Sequence, residues 1–405
     1  MSTQTAFRIS DIPQTGHSQR KLADKALRAA ATFWFVVAVV GQLVFAFTVA
    51  SFYGLTAARG NWQQWNKNMS HGYAADHPMG NVVVAIHLAS AVIILLSGVV
   101  QLLPQVRRYA PGLHRWNGRI YMVTAFSLSL AGLYMLWFRG SVGDLPQHLG
   151  QSLDAVLIML CSVMALRYAL TRDFRTHRRW ALRLFMVVSA SLFIRAGIFL
   201  SVVANHGPFG FDPVTFRGPF LTFISFGQTL VPLAVLEIYL RTQDRAAAAG
   251  RFAMAAGLFV LTVVMGAGVL TVSAASFMPE LKAAYDNRKS IAQTLSETIA
   301  AGGIDRAIQQ YHEVKAASPA AYNFNEDELN NLGYQLVRDH KFDQAIRIFQ
   351  LNVEAYPQSG NVYDSLGEGY MDAGNKAQAI VNYQRSLQLN PKNTGAVKML
   401  QLLKK

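Results

Sequence analysis

Residues 81–104 read NVVVAIHLASAVIILLSGVVQLLP, 24 positions without a formal charge. As a helix rising 1.5 Å per residue this run covers about 36 Å, enough to cross a hydrocarbon core of ~30 Å. In lipid the backbone must satisfy its own hydrogen bonds, so the run reads as a spanning helix, not a buried strand. Six more apolar stretches of similar length follow the same logic, near 30–54, 118–138, 150–170, 181–204, 218–240 and 252–276. The predicted fold class is all-α, a seven-span transmembrane helical bundle followed by a different kind of segment. The first span is too long for the apolar core of a signal peptide, so it reads as retained behind a basic leader at 1–29.

Charge supports this division. The chain of 405 residues has 37 Lys+Arg, 23 Asp+Glu and a net charge of +14. The whole excess falls in residues 1–277, while residues 278–405 balance at 14 of each sign. A nucleic-acid partner is therefore not expected. Basic residues cluster in alternate connections: the leader, 105–119, the ends of spans four and five, and 241–251. By the positive-inside rule those connections face the cytoplasm. The expectation is a bacterial inner-membrane protein with a cytoplasmic N-terminus, a membrane domain at 30–277 and an extracytoplasmic domain at 278–405. The single cysteine, Cys161, excludes an internal disulfide and any CxxC metal or redox motif.

The balanced tail repeats. Residues 326–359 and 360–393 share a period of 34, with Leu332-Gly333, Ala345, Phe349 and Pro357 in register with Leu366-Gly367, Ala379, Tyr383 and Pro391. A degenerate copy precedes them, carrying Ala307, Tyr311 and Pro319, and a polar cap is predicted over 394–404. Period and pattern resemble the tetratricopeptide family, short helix pairs stacked as a solenoid. That resemblance implies a groove lined by first helices that binds a protein or peptide. Helical spacing puts Asn330, Tyr334 and Arg338 on one stripe and Asp364 and Glu368 on the next. The plainer reading leaves these five as solvated surface residues, as it does His312 and His340.

Four histidines stand one per consecutive span, an outer pair (His87, His148) and an inner pair (His114, His177). Two bis-histidine haem b sites stacked across a bilayer need that order, with Arg115 and Arg178 placed to neutralise propionates. The order and sidedness resemble the cytochrome b561 pattern. The competing reading takes HRWNGRIY at 114–121 and HRRWALRLF at 177–185 as interfacial anchors, with snorkelling arginines and boundary Trp116 and Trp180. No HxxxH or HExxH spacing supports zinc; His71 and His77 in the 55–80 connection are further outer candidates. Arg195, deep in span five, costs at least ~2.5 kcal/mol unless paired. Asp154 in span four is its expected partner. Gln42 and Gln228 are expected either to line a polar interior or to bond between helices.

Spans two to six resemble a family of multi-span membrane proteins, domain of unknown function 2306. The resemblance rests on His87, Gly98, Gln101, the set His114, Arg115, Gly118, Arg119, Tyr121, the set His177, Arg178, Trp180, Arg183, and Arg195. It implies a fold neighbourhood without implying a reaction. Three functions fit: a redox bundle whose tail docks a partner, a non-catalytic membrane-anchored scaffold, and a small-molecule or lipid transporter. Lipid is a partner in all three.

Overall fold

The computed structural model describes residues 15–403 apart from 70, 71, 75, 76, 214 and 287, with side chains at 15–17 and 67 also outside the description. His71 and the leader up to residue 14 thus lie outside the described residues. The chain divides into two compact units. One comprises residues up to Arg59 and Asn68–Tyr285, and the other Gly60–Lys67 and Asp286 onward. The boundary falls eight residues later than the hydropathy implied, because helix continues through Tyr285 after the apolar run ends.

The first unit is built of α1 (Thr15–Ala58), α2 (Pro78–Leu102), α3 (Pro104–Tyr109), α4 (Pro111–Tyr134), α5 (Leu145–Leu170), α6 (Phe174–Val188), α7 (Ala190–Ala204), α8 (Pro219–Arg245), α9 (Ala248–Val272) and α10 (Met278–Tyr285). Six helical segments are long and apolar enough to cross a membrane, and α6 with α7 makes a seventh bent by 44° at Ser189. Proline stands in the first turn of α2, α3, α4, α5 and α8, where its missing N–H costs nothing. Two π-helical stretches, Met135–Gly140 and Ser273–Phe277, extend α4 and α9.

Small residues let these helices approach, as expected where lipid removes the hydrophobic drive between them. A Cβ at Gly150 on α5 would meet Ser225 of α8 at 2.5 Å, and one at Gly197 on α7 would meet Ile224 of α8 at 2.5 Å. Gly41 on α1 receives Leu192 and Val269, and Gly268 on α9 receives Ala196. The break at Ser189 is braced: Gln42 donates to Ser189 Oγ at 2.5 Å, and Ser189 Oγ donates to the Phe185 carbonyl at 2.6 Å. Gln42 therefore bonds between helices, while Gln228 turns its amide back to the Ser225 carbonyl of its own helix at 3.0 Å.

The second unit stacks helix pairs. α11 (Ile291–Ala317) breaks at Gly303, whose φ of 83° ends one helix and starts the next. Then come α12 (Glu326–Arg338) with α13 (Phe342–Ala355), α14 (Gly360–Asp372) with α15 (Lys376–Leu389), and the cap α16 (Thr394–Leu403). The repeat signature is explained by its contacts. Phe349 of α13 lies against Gly333 of α12, where an added Cβ would come within 2.3 Å of its ring, and Tyr383 of α15 lies against Gly367 of α14 at 3.0 Å. Ala307 and Tyr311 are buried in the same core, so the degenerate copy is a genuine third pair. A two-residue parallel pairing of Lys289–Ser290 with Tyr322–Asn323 ties that pair's ends together.

Candidate functional site

The arginine-rich end of the first unit is organised by the motif residues. Gln101 on α2 donates to the His114 carbonyl at 2.8 Å and packs against Gly118, while Asn117 donates to the Ser97 carbonyl at 2.9 Å. Tyr121 fills the gap left by Gly98, which a Cβ would close to 3.1 Å. Gly98, Gln101, Gly118 and Tyr121 are thus the interlock between α2 and α4. The two histidine-arginine segments repeat one device. Arg119 lies over the Trp116 ring at 4.8 Å, and Arg183 over the Trp180 ring at 4.6 Å, each a cation–π contact one helical turn apart. Arg183 also pairs with Glu237 of α8 at 2.6 Å, Arg179 and Arg175 pair with Asp244, and Arg251 pairs with Asp24. Glu237 thus takes its cation from the neighbouring helix α6.

Between these helices lies a cavity of about 1920 Å³. Arg28, Arg107, Arg115, Arg119, Arg172 and Arg178 line it together with His114 and His177. None of the six arginines has a carboxylate partner among the described residues, and the sole acidic lining residue, Asp24, is held by Arg251. Farther in, the walls are apolar, with Phe185, Phe193, Val231, Leu261 and Met265. The cavity follows α9 from Arg251 to Met265, fourteen residues or about 21 Å.

The inner histidines are brought to this one cavity. His177 Nδ1 lies 2.8 Å from the Ala165 carbonyl oxygen, a contact that needs the proton on Nδ1 and leaves Nε2 as the basic nitrogen. His114 Nδ1 is buried without a hydrogen-bond partner among the described residues. The outer histidines have different neighbours, and His148 Nε2 is buried without a hydrogen-bond partner among the described residues. His87 on α2 has Nδ1 3.3 Å from the Leu128 carbonyl and its ring against Gly132, whereas His148 on α5 packs edge-on to Trp137 with centroids 5.8 Å apart. α4 packs against both α2 and α5. His77 is exposed at the start of α2. No group of three metal-ligating side chains occurs among the described residues.

The expected Asp154–Arg195 pair is also not formed. Asp154 accepts from Thr229 Oγ1 of α8 at 2.6 Å. Arg195 donates to the Ser191 carbonyl at 2.8 Å and lies over the Phe45 ring of α1 at 4.8 Å. The physical reason is placement: α8 packs against both α5 and α7, and the two side chains leave their helices toward different neighbours.

In the repeat unit the five groove residues separate. Asn330 is buried and accepts from Asn352 Nδ2 of α13 at 3.2 Å, so it belongs to the helix-pair core and not to a groove. Tyr334 bridges repeats, its hydroxyl 3.0 Å from Ser365 Oγ and donating to Glu368 Oε2 at 2.5 Å. Burial, and then the Glu368 carboxylate, push the Tyr334 phenol far above its usual range. Asp364 is half-buried with Oδ1 unpartnered among the described residues, and burial pushes its carboxyl up. Arg338 is exposed at the end of α12. The cavity is lined from nine helices, α1 to α9, so no single stretch of sequence shows it; the excess of arginine over acid at one end was the available signal.

Residues 84–213 match the model of a family described as "Predicted membrane protein (DUF2306)". No curated protein matches the chain. Among solved structures, the crystal structure of the P58(IPK) TPR domain matches with 13% identity and a TM-score of 0.21, over 90% of this chain and 97% of that one. The repeat assignment rests on the helix pairs and their glycine–aromatic contacts.

Proposed function

We propose that the protein is a membrane-anchored recruiting scaffold of the bacterial inner membrane, with its N-terminus cytoplasmic and its repeat unit on the far side. The bundle holds the chain in the bilayer, and the repeat unit binds a peptide segment of a partner protein across α12 and α14. One observation carries this reading: the Tyr334 hydroxyl, held by Ser365 and Glu368, ties the first helices of consecutive repeats together beside Arg338. Pre-ordered side chains of this kind lower the cost of binding. Glu368 and Asp364 suit donors or positive charge on the partner, and Arg338 suits a carboxylate. A photo-crosslinker placed at Arg338 in intact cells tests it. The expected result is a discrete adduct that weakens with Tyr334→Phe plus Glu368→Gln and is absent with the crosslinker at the exposed Val381 of α15. Equal crosslinking from both positions would refute the groove.

A redox role is the second reading, and we place it at the inner pair. We propose His114 and His177 as the residues that would hold a haem b, because both line one cavity and the Ala165 carbonyl sets the His177 tautomer, as second-shell acceptors do for ligating imidazoles. Arg115 and Arg178 would then meet its propionates, and the haem would supply one-electron chemistry. A purified chain with no Soret band and no stoichiometric iron removes this role and leaves the scaffold.

A further inference from the structure

We infer that the arginine-lined cavity is a binding site for a lipid with an anionic phosphate head, seated with its head among Arg28, Arg107, Arg115, Arg119, Arg172 and Arg178 and its chains along the apolar wall. Three observations converge. The first is charge: among the described residues six arginines without a carboxylate partner line one space, and the one carboxylate lining it, on Asp24, is paired with Arg251. Guanidinium forks match phosphate oxygens bidentately and are less strongly hydrated than ammonium groups, which suits a site at the edge of a bilayer. The second is direction. Polar and apolar walls are segregated along the helices, basic at the α1, α6 and α9 N-terminal ends and apolar from Phe185 to Met265. A soluble anion would use only the first part.

The third is size. At about 1920 Å³ the cavity is roughly twice the upper end of ordinary small-molecule pockets. Its run of about 21 Å along α9 exceeds one leaflet, about half of a ~30 Å core. A chain-bearing amphiphile fills that shape. The wall includes both sides of the 44° break at Ser189, with Phe185 before it and Phe193 after it. Neither Asp154 nor Arg195 lines this site. Neither the recruiting role nor a haem requires the lipid, and the experiment reads each separately.

Native mass spectrometry of the full-length, delipidated protein provides the test. The added probes are phosphatidylglycerol, a polyisoprenyl phosphate, phosphatidylcholine of matched chains, and inorganic phosphate. The expected result is retention of one lipid per chain, with either anionic lipid held at least about tenfold better than phosphatidylcholine, and no retention of inorganic phosphate. The two anionic arms identify the source of the head group. Arg115→Gln with Arg178→Gln is expected to weaken retention at least about tenfold, since each removes a charge-assisted contact. Arg172→Gln on its exposed turn gives a several-fold loss should the double variant not fold. Arg175→Gln removes the same charge from the same helix outside the lining and is expected to leave retention within twofold. Equal retention of phosphatidylcholine, an unchanged double variant, or a haem that fills the site and excludes lipid would overturn the inference. Loss of the Arg338 crosslink with lipid retention intact would strike the scaffold alone.

Discussion

Replacing Gly333 by Ala should loosen the repeat unit, although alanine is the better helix former. A Cβ at this position would lie 2.3, 2.6 and 2.7 Å from three atoms of the Phe349 ring. The ring cannot retreat: it is fully buried, and its other edge lies against Gly369, where a Cβ would meet it at 2.9 Å. Overpacking of this kind costs about 1–3 kcal/mol, and three close atoms against a clamped ring place it near the upper end. The gain in helix propensity returns about 1 kcal/mol. The net destabilisation is therefore about 2 kcal/mol, which multiplies the opening constant by roughly 30. Hydrogen exchange of the full chain, read by mass spectrometry on peptides from α12 and α13, reports that opening locally. Gly302→Ala is the contrast. Its Cβ would meet nothing nearer than 3.6 Å, so exchange there should slow up to about fivefold. If α12 and α13 in the Gly333 variant exchange within twofold of the native rate, or more slowly, the glycine–aromatic account of the repeats is wrong.

Three further outcomes are expected. Gln42→Leu removes the 2.5 Å bond to Ser189 and should lower the stability of the detergent-solubilised bundle by about 0.6 to 1.7 kcal/mol, read by equilibrium unfolding in SDS; no change would mean that packing alone holds the broken span. Burial raises the Asp364 carboxyl above its unfolded value, so the folded unit binds more protons in the window between them and its stability falls as pH rises through that window. Asp364→Asn should therefore raise the melting temperature of the repeat unit at neutral pH and flatten its rise on acidification, whereas an unchanged pH profile would refute the assignment. Finally, in a Cys161→Ala chain, Lys376→Cys should react with a membrane-impermeant maleimide in intact cells and Arg175→Cys should not, both positions being exposed; the reverse labelling would invert the proposed topology.

The span count was legible because hydropathy over 20 residues is a local property, and the repeats because Gly333, Phe349, Gly367 and Tyr383 recur at a fixed period. The motif around His114 was also legible, though its meaning was not: Gly98, Gly118 and Gln101 proved to be the surfaces by which α2 and α4 interlock. The predicted Asp154–Arg195 pairing failed because it assumed that residues at one depth face one another. Asp154 turns to Thr229 of α8 and Arg195 to Phe45 of α1. Asn330 failed for a related reason, since a helix stripe says which residues align and not which neighbour they meet.

Composition and period were thus enough to establish the spanning stretches, the basic end and the stacked tail, because each depends on neighbours along the chain. Rotation of each helix about its own axis depends on packing against several others at once. That rotation alone decided that Arg28, Arg107, Arg115, Arg119, Arg172 and Arg178 open onto one cavity with His114 and His177, while Arg175, Arg179 and Arg183 from the same basic clusters turn to Asp244 and Glu237.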